Sequence, residues 1–314
     1  MQEVLGSAGP QAAHIESLWW FTLAICAVVF IAILVAVGLA VMRRRVRAPT
    51  PPDLSVLTKK ERGAEVAVVA ALGVSLAGLI VLTLASFVTD RALASLGPPD
   101  LEIDVTGHQW WWDARYDDQD KQKIFTVANE IHIPVGKPVL LRLRADDVIH
   151  SFWVPNLSGK KDMIPGREAT LTLQADKPGV YRGQCAEFCG AQHAKMALLF
   201  IADEKYEEWA AAQRKTAPEP ATDQQKRGRD LFVNGRCAMC HAIQGTPASA
   251  RRAPDLTHLM SRQTLAAGAV PNSIGHLAGW ILDPTSIKPG ANMPPNPMAP
   301  DDLHALLAYL GTLK

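Results

Sequence analysis

The apolar residues of this chain fall into two long runs followed by shorter, punctuated segments. Leu18 to Met42 is a nearly continuous apolar run of 25 residues, and Val66 to Val88 is a second run without a charged residue. Each run exceeds the ~20 residues that a helix needs to cross a bilayer. Two buried helices of a soluble protein are the alternative, although soluble helices of this length usually carry a polar face. The pattern predicts a two-helix transmembrane hairpin.

After the second run, apolar and polar residues alternate over short distances. The segments that predict strands are 101–106, 131–134, 139–143, 169–173 and 198–201, with glycine and proline residues between them. Short strands at this spacing favour an all-β sandwich or barrel. A closing helix is predicted over 203–215.

The last part of the chain has a helical pattern. Thr216 to Thr222 has the composition of a linker, and helices are predicted over 224–233 and 300–313. We therefore expect four parts: a tail and membrane hairpin (1–94), a β domain (95–215), a linker (216–222) and an all-α domain (223–314). About ninety residues make a marginal core without a bound group.

The charges predict the orientation of the hairpin in the membrane. The basic residues between the two runs are Arg43, Arg44, Arg45, Arg47, Lys59, Lys60 and Arg62, whereas the first seventeen residues contain no lysine or arginine. The positive-inside rule places this connection in the cytoplasm and both flanking parts on the outer side. The tail lacks a basic n-region, so we expect no separate cleavable signal peptide and the first helix to direct export. A net charge of +1 argues against nucleic acid as a partner.

Four of the five cysteines fall into two motifs that are typical of metal sites. Cys185, Cys189, His193 and Met196 lie within twelve residues, and His150 follows a strand-like segment upstream. Thiolates, imidazoles and a thioether together favour copper. A structural zinc site using the two cysteines and the two histidines is the alternative, as is a disulfide between the cysteines. The fifth cysteine, Cys26, is interpreted as a small apolar residue of the first helix.

The second motif is Cys237-Ala238-Met239-Cys240-His241, the C-x-x-C-H spacing of a covalently attached c-type haem. In this motif the thiols form thioether bonds to the haem and His241 is the proximal iron ligand. Two redox centres on one chain predict a role in electron transfer.

The β part resembles subunit II of haem–copper cytochrome c oxidases. The segments that carry the resemblance are 107–112 (GHQWWW), 147–152 (DVIHSF), 164–167 (IPGR) and 183–190 (GQCAEFCG). The resemblance covers residues 15–210 and implies a cupredoxin-like fold with a dinuclear copper centre, CuA. It implies side-chain ligands His150, Cys185, Cys189, His193 and Met196, with Glu187 binding copper through its carbonyl.

The same resemblance implies roles for two further groups. The Glu187 carboxylate would bind magnesium at the boundary with subunit I. Trp110 would be the residue that accepts electrons from cytochrome c. Anchoring of Trp110, Trp111 and Trp112 at the membrane interface is the alternative, but neighbouring strand residues face opposite ways and the three are not expected to share one role.

The C-terminal part resembles class I cytochromes c. The segment Lys288 to Pro294 is similar to their distal-ligand loop, which makes Met293 the expected sixth iron ligand, with Met298 and Met260 as competitors. Met/His ligation is typical of electron transfer. Pro254 is expected to accept a hydrogen bond from His241. Gly228, Phe232 and Tyr309 are expected where the first and last helices cross.

Together, the two resemblances imply a fused subunit II of a caa-type oxidase in a bacterial membrane. Electrons would pass from haem c through CuA to subunit I, where oxygen is reduced. The expected partners are subunit I, subunit III, membrane lipid and an external donor, either a cytochrome c or a quinol-oxidising complex. Two alternatives are a membrane-anchored electron carrier or copper-handling protein that acts alone, and a multihaem or nitrous oxide reductase-like enzyme, against which the membrane hairpin argues.

Overall fold

Two long helices begin the chain in the computed structural model, which describes residues 3–43, 62–94 and 96–314. Helix α1 covers Pro10–Arg43 and α2 covers Arg62–Leu93. Both are long and apolar enough to span a membrane, and the most apolar stretch of each is uncovered by other parts of the chain. Side chains that are apolar on all sides of a helix require a lipid environment or a protein partner.

Most of the predicted cytoplasmic loop lies outside the described residues. This applies to Arg44, Arg45, Arg47, Lys59 and Lys60. The structure forms two compact units, His14–Ser95 and a second unit made of Met1–Ala13 with Leu96–Lys314.

Ten strands of the second unit form two five-stranded sheets. They are β1 (Leu101–His108), β2 (Trp111–Asp117), β3 (Phe125–Ala128), β4 (Glu130–Pro134), β5 (Val139–Ala145), β6 (His150–Trp153), β7 (Lys161–Met163), β8 (Ala169–Leu173), β9 (Gly179–Cys185) and β10 (Ala197–Asp203). The first sheet has the order β3-β2-β1-β5-β8 and the second β4-β10-β9-β6-β7. This confirms the cupredoxin-like sandwich.

The core of the sandwich follows from alternating side chains. On β5, Val139, Leu141 and Leu143 are fully buried, while the residues between them are partly exposed. Each such side chain contributes ~1.5–3 kcal/mol when it leaves water. β5 pairs in parallel with β1, from Leu101 opposite Val139, and antiparallel with β8. Side chains of both sheets share one core.

Helix α3 (Tyr206–Gln213) closes the sandwich, as predicted. Its Trp209 ring stacks on His132 of β4 with a centroid separation of 4.1 Å. The tail before α1 and the first turn of α1 also pack on the sandwich, which was not predicted. The Ala8 amide donates to Asn156 O at 2.8 Å and the Gln11 side chain donates to Thr172 O at 3.0 Å.

The C-terminal region is mainly helical. It contains α4 (Asp223–Val233), α5 (Ile274–Leu282), α6 (Pro284–Ile287) and α7 (Pro300–Leu310), with a small hairpin of β11 (Thr264–Leu265) and β12 (Val270–Pro271). Thr222 and Gln225 form a capping box that starts α4.

Helices α4 and α7 cross at Gly228. A Cβ atom at this position would lie 2.0 Å from Ala305 O and 2.8 Å from Tyr309 Cβ. The backbones therefore approach too closely for any side chain. Phe232 and Tyr309 are buried beside the crossing, with ring centroids 6.5 Å apart. This confirms the predicted crossing.

We expect Gly228→Ala to separate the two helices and to lower the free energy of unfolding by about 2 kcal/mol or more, because overpacking forces the backbone to move. Chemical denaturation of the full chain in detergent, followed by circular dichroism, measures this. Gly275→Ala in α5 is the matched control, since nothing lies within 4 Å of its added Cβ. Equal stability of the two variants would contradict the prediction.

Candidate functional site

Soft ligands converge at one end of the sandwich. His150 is the first residue of β6, Cys185 is the last residue of β9, and Cys189 lies in the loop that follows. Ligand atoms of these three residues all lie within 4.8 Å of one another, and all three side chains are buried. Among the described residues, these three side chains form a group whose ligand atoms are close enough together to hold a metal ion.

His193 and Met196 complete the cluster. Cys189 Sγ lies 3.7 Å from His193 Nδ1 and 3.8 Å from Met196 Sδ, and Cys185 Sγ lies 3.8 Å from His150 Nδ1. The Glu187 carbonyl accepts a hydrogen bond from Cys185 Sγ at 3.1 Å. The cysteines are separate thiols and form no disulfide. All six predicted copper residues therefore lie around one point.

The thiols influence each other strongly. A hydrogen bond from Cys189 lowers the pKa of Cys185 well below its ordinary value, and the hydrogen bond with His150 adds to this effect. The same contact, together with burial, raises the pKa of Cys189. One thiol is therefore prepared as a thiolate, the form in which cysteine binds metals. Burial lowers the pKa of His150, but its hydrogen bonds to Cys185 and Asp147 outweigh burial and raise it.

Asp147 orients His150, which the sequence interpretation missed. Its carboxylate lies 2.8 Å from His150 Nε2 and accepts the backbone N–H groups of Gln109 and Val148 at 2.6 and 2.7 Å. Such a partner fixes the tautomer and ring direction of a metal-binding histidine. The only sequence signal was its position three residues before His150.

Glycine makes room for this site at two positions. A Cβ on Gly107 would lie 3.0 Å from the His150 ring, and Gly190, with φ +111°, would place a Cβ 3.1 Å from Trp110. The positive φ at Gly190 turns the loop between Cys189 and His193, a conformation that residues with side chains rarely adopt.

The three consecutive tryptophans have three different environments. Trp110 is half-buried and its Nε1 donates to Cys189 O at 3.0 Å. Trp111 stacks on His108 at 4.4 Å, and Trp112 is fully buried against Phe152. Only Trp110 is bonded to the loop that carries the copper residues.

The Glu187 side chain lies away from the thiols. Its carboxylate is 44% exposed and lies 3.8 Å from Lys160 Nζ. The same Lys160 Nζ lies 3.9 Å from the Asp162 carboxylate. Among the described residues, the Glu187 carboxylate belongs to no group of three or more potential metal ligands.

The second candidate site is a cavity of about 500 Å³. Cys237, Cys240, His241 and Met293 line it, and Met298 and Met260 do not. His241 Nδ1 donates to Pro254 O at 2.7 Å, as predicted, which leaves Nε2 free to bind a metal. Burial lowers the pKa of His241 and so favours the neutral imidazole. The volume and the largely apolar lining fit a prosthetic group.

Charged side chains are buried where the C-terminal region meets the sandwich. Glu130 is 5% exposed, and its carboxylate accepts the backbone N–H groups of Gln263 and Thr264 at 2.8 and 2.9 Å. Burial raises the pKa of Glu130 and lowers that of Arg262, which lies close enough for their charges to interact. No sequence motif marked these contacts.

Asp113 belongs to the same charged group. Burial raises its pKa from 3.8 to about 6; Arg251 and Arg262 oppose this shift and Asp255 adds to it. The folded state therefore binds a proton more tightly than the unfolded state. The resulting stabilisation is complete below pH 3.8 and is lost as the pH rises through about 6.

Asp113→Asn should remove this pH dependence. The difference in the free energy of unfolding between the variant and the wild type should rise by about 2 kcal/mol in favour of the variant from pH 4 to pH 7. One pKa unit corresponds to about 1.36 kcal/mol. Denaturant titrations of both full-length proteins at several pH values measure the difference. Asp162→Asn, an exposed carboxyl on β7, is the control. If the free energies of unfolding of Asp113→Asn and wild type differ by the same amount at every pH, the raised pKa of Asp113 is refuted.

Comparison with known proteins gives two family matches. Residues 118–202 match the model "Cytochrome C oxidase subunit II, periplasmic domain", and residues 225–314 match "Cytochrome c". The first range contains all six candidate copper residues, and the second contains Cys237, Cys240, His241 and Met293.

Individual relatives carry the same name. The chain is 41% identical over 222 residues to "Cytochrome c oxidase subunit 2" of Alkalihalophilus pseudofirmus, over 70% of this chain and 63% of that protein. It is 29% identical over 258 residues to the protein of this name from Bacillus subtilis, over 75% and 71%. The chain thus spans less than two thirds of the first relative. The periplasmic domain of subunit II of cytochrome oxidase from Bradyrhizobium japonicum is 31% identical, covering 38% of this chain and 96% of that one, with a TM-score of 0.35.

Proposed function

We propose that this chain, a member of the cytochrome c oxidase subunit II family with a fused cytochrome c domain, passes electrons from its C-terminal region through its sandwich to subunit I. Oxygen would be reduced to water in subunit I. The observation that carries this proposal is the presence of two ligand sets in one compact unit, one buried in the sandwich and one half-buried in the C-terminal cavity.

The family matches and the ligand chemistry imply copper and haem c. We assign the dinuclear copper centre to His150, Cys185, Cys189, His193 and Met196, and to the carbonyl of Glu187. The buried thioether of Met196 beside Cys189 supports copper over zinc, since zinc has little affinity for thioethers. We assign the haem to Cys237 and Cys240, with His241 and Met293 as axial ligands. When bound, both groups exchange single electrons without a change of ligands.

The protein side chains would position these groups and keep water away from them. His150 is held by Asp147, and His241 is held by Pro254 O. Trp110 would accept the electrons, because it lines the C-terminal cavity and its indole N–H donates to Cys189 O. A rigid protein environment around a redox site changes its geometry little during electron transfer.

Further parts of the proposal concern partners and location. Subunit I is the implied partner in the complex; subunit III, membrane lipid and an external donor are expected additions. The exposed Glu187 carboxylate would share magnesium with subunit I. The sandwich (95–215) and the cytochrome c domain (223–314), joined by the linker 216–222, would lie on the outer side of a bacterial membrane, with hairpin 1–94 in it and the basic loop in the cytoplasm.

The proposal predicts copper at the stoichiometry of a dinuclear centre, together with low-spin c-type haem, in the purified full chain. Cys185→Ser should lose the copper and its mixed-valence paramagnetic resonance signal but keep the haem, because a hydroxyl cannot replace the thiolate that would hold copper. Metal analysis and optical and paramagnetic resonance spectra measure this. Cys26→Ser, in helix α1, is the matched control and should keep both groups. Bound zinc, or copper retained in Cys185→Ser, would contradict the assignment.

The haem assignment makes a separate prediction for two methionines. Met293→Ala should convert the oxidised haem from low-spin to high-spin, while the haem stays attached through Cys237 and Cys240. Met298→Ala should keep the low-spin spectrum, because Met298 does not line the cavity. Optical spectra of both variants test this. A high-spin Met298→Ala beside a low-spin Met293→Ala would reverse the assignment.

Co-purification tests the place of the chain in a complex. A tagged chain, expressed with the other subunits, should bring down a large haem-containing subunit that reduces oxygen. Isolation of the chain alone, with both cofactors bound, would instead indicate an electron carrier that acts by itself.

A further inference from the structure

The loop around Met293 is hydrogen-bonded to the residues around Cys189. We call residues 287–293 the haem-side loop. The four side-chain hydrogen bonds that join it to the sandwich run from Lys288 Nζ to Trp110 O at 2.9 Å, from Asn292 Nδ2 to Gln109 O at 2.9 Å, from Lys195 Nζ to Ile287 O at 2.6 Å, and from Gln192 Nε2 to Pro289 O. The candidate ligand loops of both sites are thus bound to each other.

Lys288 differs from the other residues in this contact because its charge is buried. It is 3% exposed, and its ammonium group donates to Trp110 O and, at 3.2 Å, to Ala266 O. Among the described residues, no carboxylate lies within 4.0 Å of it. A buried charge without a carboxylate partner costs free energy, and apolar side chains of similar size in such places are often equally or more stable. Stability therefore does not explain a lysine at this position.

The contact of Lys288 leads directly to the copper loop. Its ammonium binds the carbonyl of Trp110, and the indole of the same residue donates to Cys189 O at 3.0 Å. Lys288 and Trp110 also line the cavity that holds His241 and Met293. One lysine thus connects the loop of one site to the residue that touches the loop of the other.

We propose that Lys288 is a positioning residue whose ammonium group holds the haem-side loop against Trp110 and so fixes the distance between the two redox sites. The contact itself follows from the hydrogen bonds; only its effect on electron transfer rests on the proposed function. Electron transfer slows steeply as the gap between donor and acceptor widens, so a small displacement of this loop has a large kinetic effect.

Lys288→Met tests this proposal because it keeps the length of the side chain and removes its charge and donors. Hydrogen–deuterium exchange of the full chain with both cofactors should accelerate about tenfold in residues 107–111 and 286–292, since each lost hydrogen bond lowers the cost of local opening. The reporting amides include Gln109, Lys288 and Ala291, which donate to Asp147, Pro284 O and Lys288 O. Exchange in β5 should not change.

Lys226→Met is the matched control, since this lysine is exposed on α4 and pairs with Asp223. It should match the wild type in both segments. If Lys288→Met fails to retain its cofactors, Lys288→Gln, which removes the charge and shortens the side chain, replaces it. Exchange within twofold of the wild type in a variant that retains both cofactors would overturn the proposal.

A kinetic measurement separates this proposal from the function on which it builds. After rapid reduction of the haem, electron transfer to copper should slow at least tenfold in Lys288→Met, while the spectra of both groups stay unchanged. Faster exchange combined with an unchanged transfer rate would support the positioning role and contradict the proposed electron route. Unchanged hydrogen–deuterium exchange would overturn the positioning role, whatever the rate of electron transfer.

Discussion

The backbone hydrogen bond from the Cys185 amide to Met196 O, at 2.9 Å, closes the loop on which the copper site depends. It continues the antiparallel register of β9 and β10, in which Ala197 lies opposite Gln184. Five of the six candidate ligands, four through their side chains and Glu187 through its carbonyl, lie at or between the two ends of this loop, so closing it brings them together. His150 joins them because β6 pairs with β9, with Phe152 opposite Cys185. A metal site of this kind needs no sequence signal beyond the spacing of its ligands, because the sheet supplies the geometry.

This dependence explains how much could be predicted from the sequence. Ligand sets within short motifs were found because the residues are neighbours in the chain. Strands β1, β4, β5, β8 and β10 were found because their residues are apolar and β-branched or alternate with polar ones. Strands β2, β3, β6, β7 and β9 were not predicted. In β9, for example, the mixed residues are mostly half-buried and give no period. The contacts of Lys288 with Trp110 and of Glu130 with Thr264 were missed for another reason. They join residues 178 and 134 positions apart, and a single polar residue does not indicate its partner.

Buried charges between the sandwich and the C-terminal region would be unfavourable for two separate proteins. Glu130 and Lys288 are buried there and Arg262 is half-buried, and each loss of contact with water costs free energy that a transient complex must recover from its interface. A covalent linker raises the effective concentration of the two regions to the millimolar range. The two regions then associate with a smaller favourable interaction energy at their interface. Polar contacts that determine orientation but add little affinity therefore become acceptable. The charged interface is therefore a consequence of the fusion.

Fixing the C-terminal region at this interface also determines which surfaces remain available to an external donor. The carbonyl of Trp110 binds Lys288 and its indole binds Cys189 O, so a separate donor would have to displace the chain's own haem-side loop to reach it. Met239, between the two candidate haem cysteines, is 65% exposed. Met239 of the C-x-x-C-H motif thus remains at the surface of the unit, whereas Trp110 is half-buried and bonded to the haem-side loop. Under the proposed function, electrons from an external donor would therefore arrive at the C-terminal region first, before the sandwich.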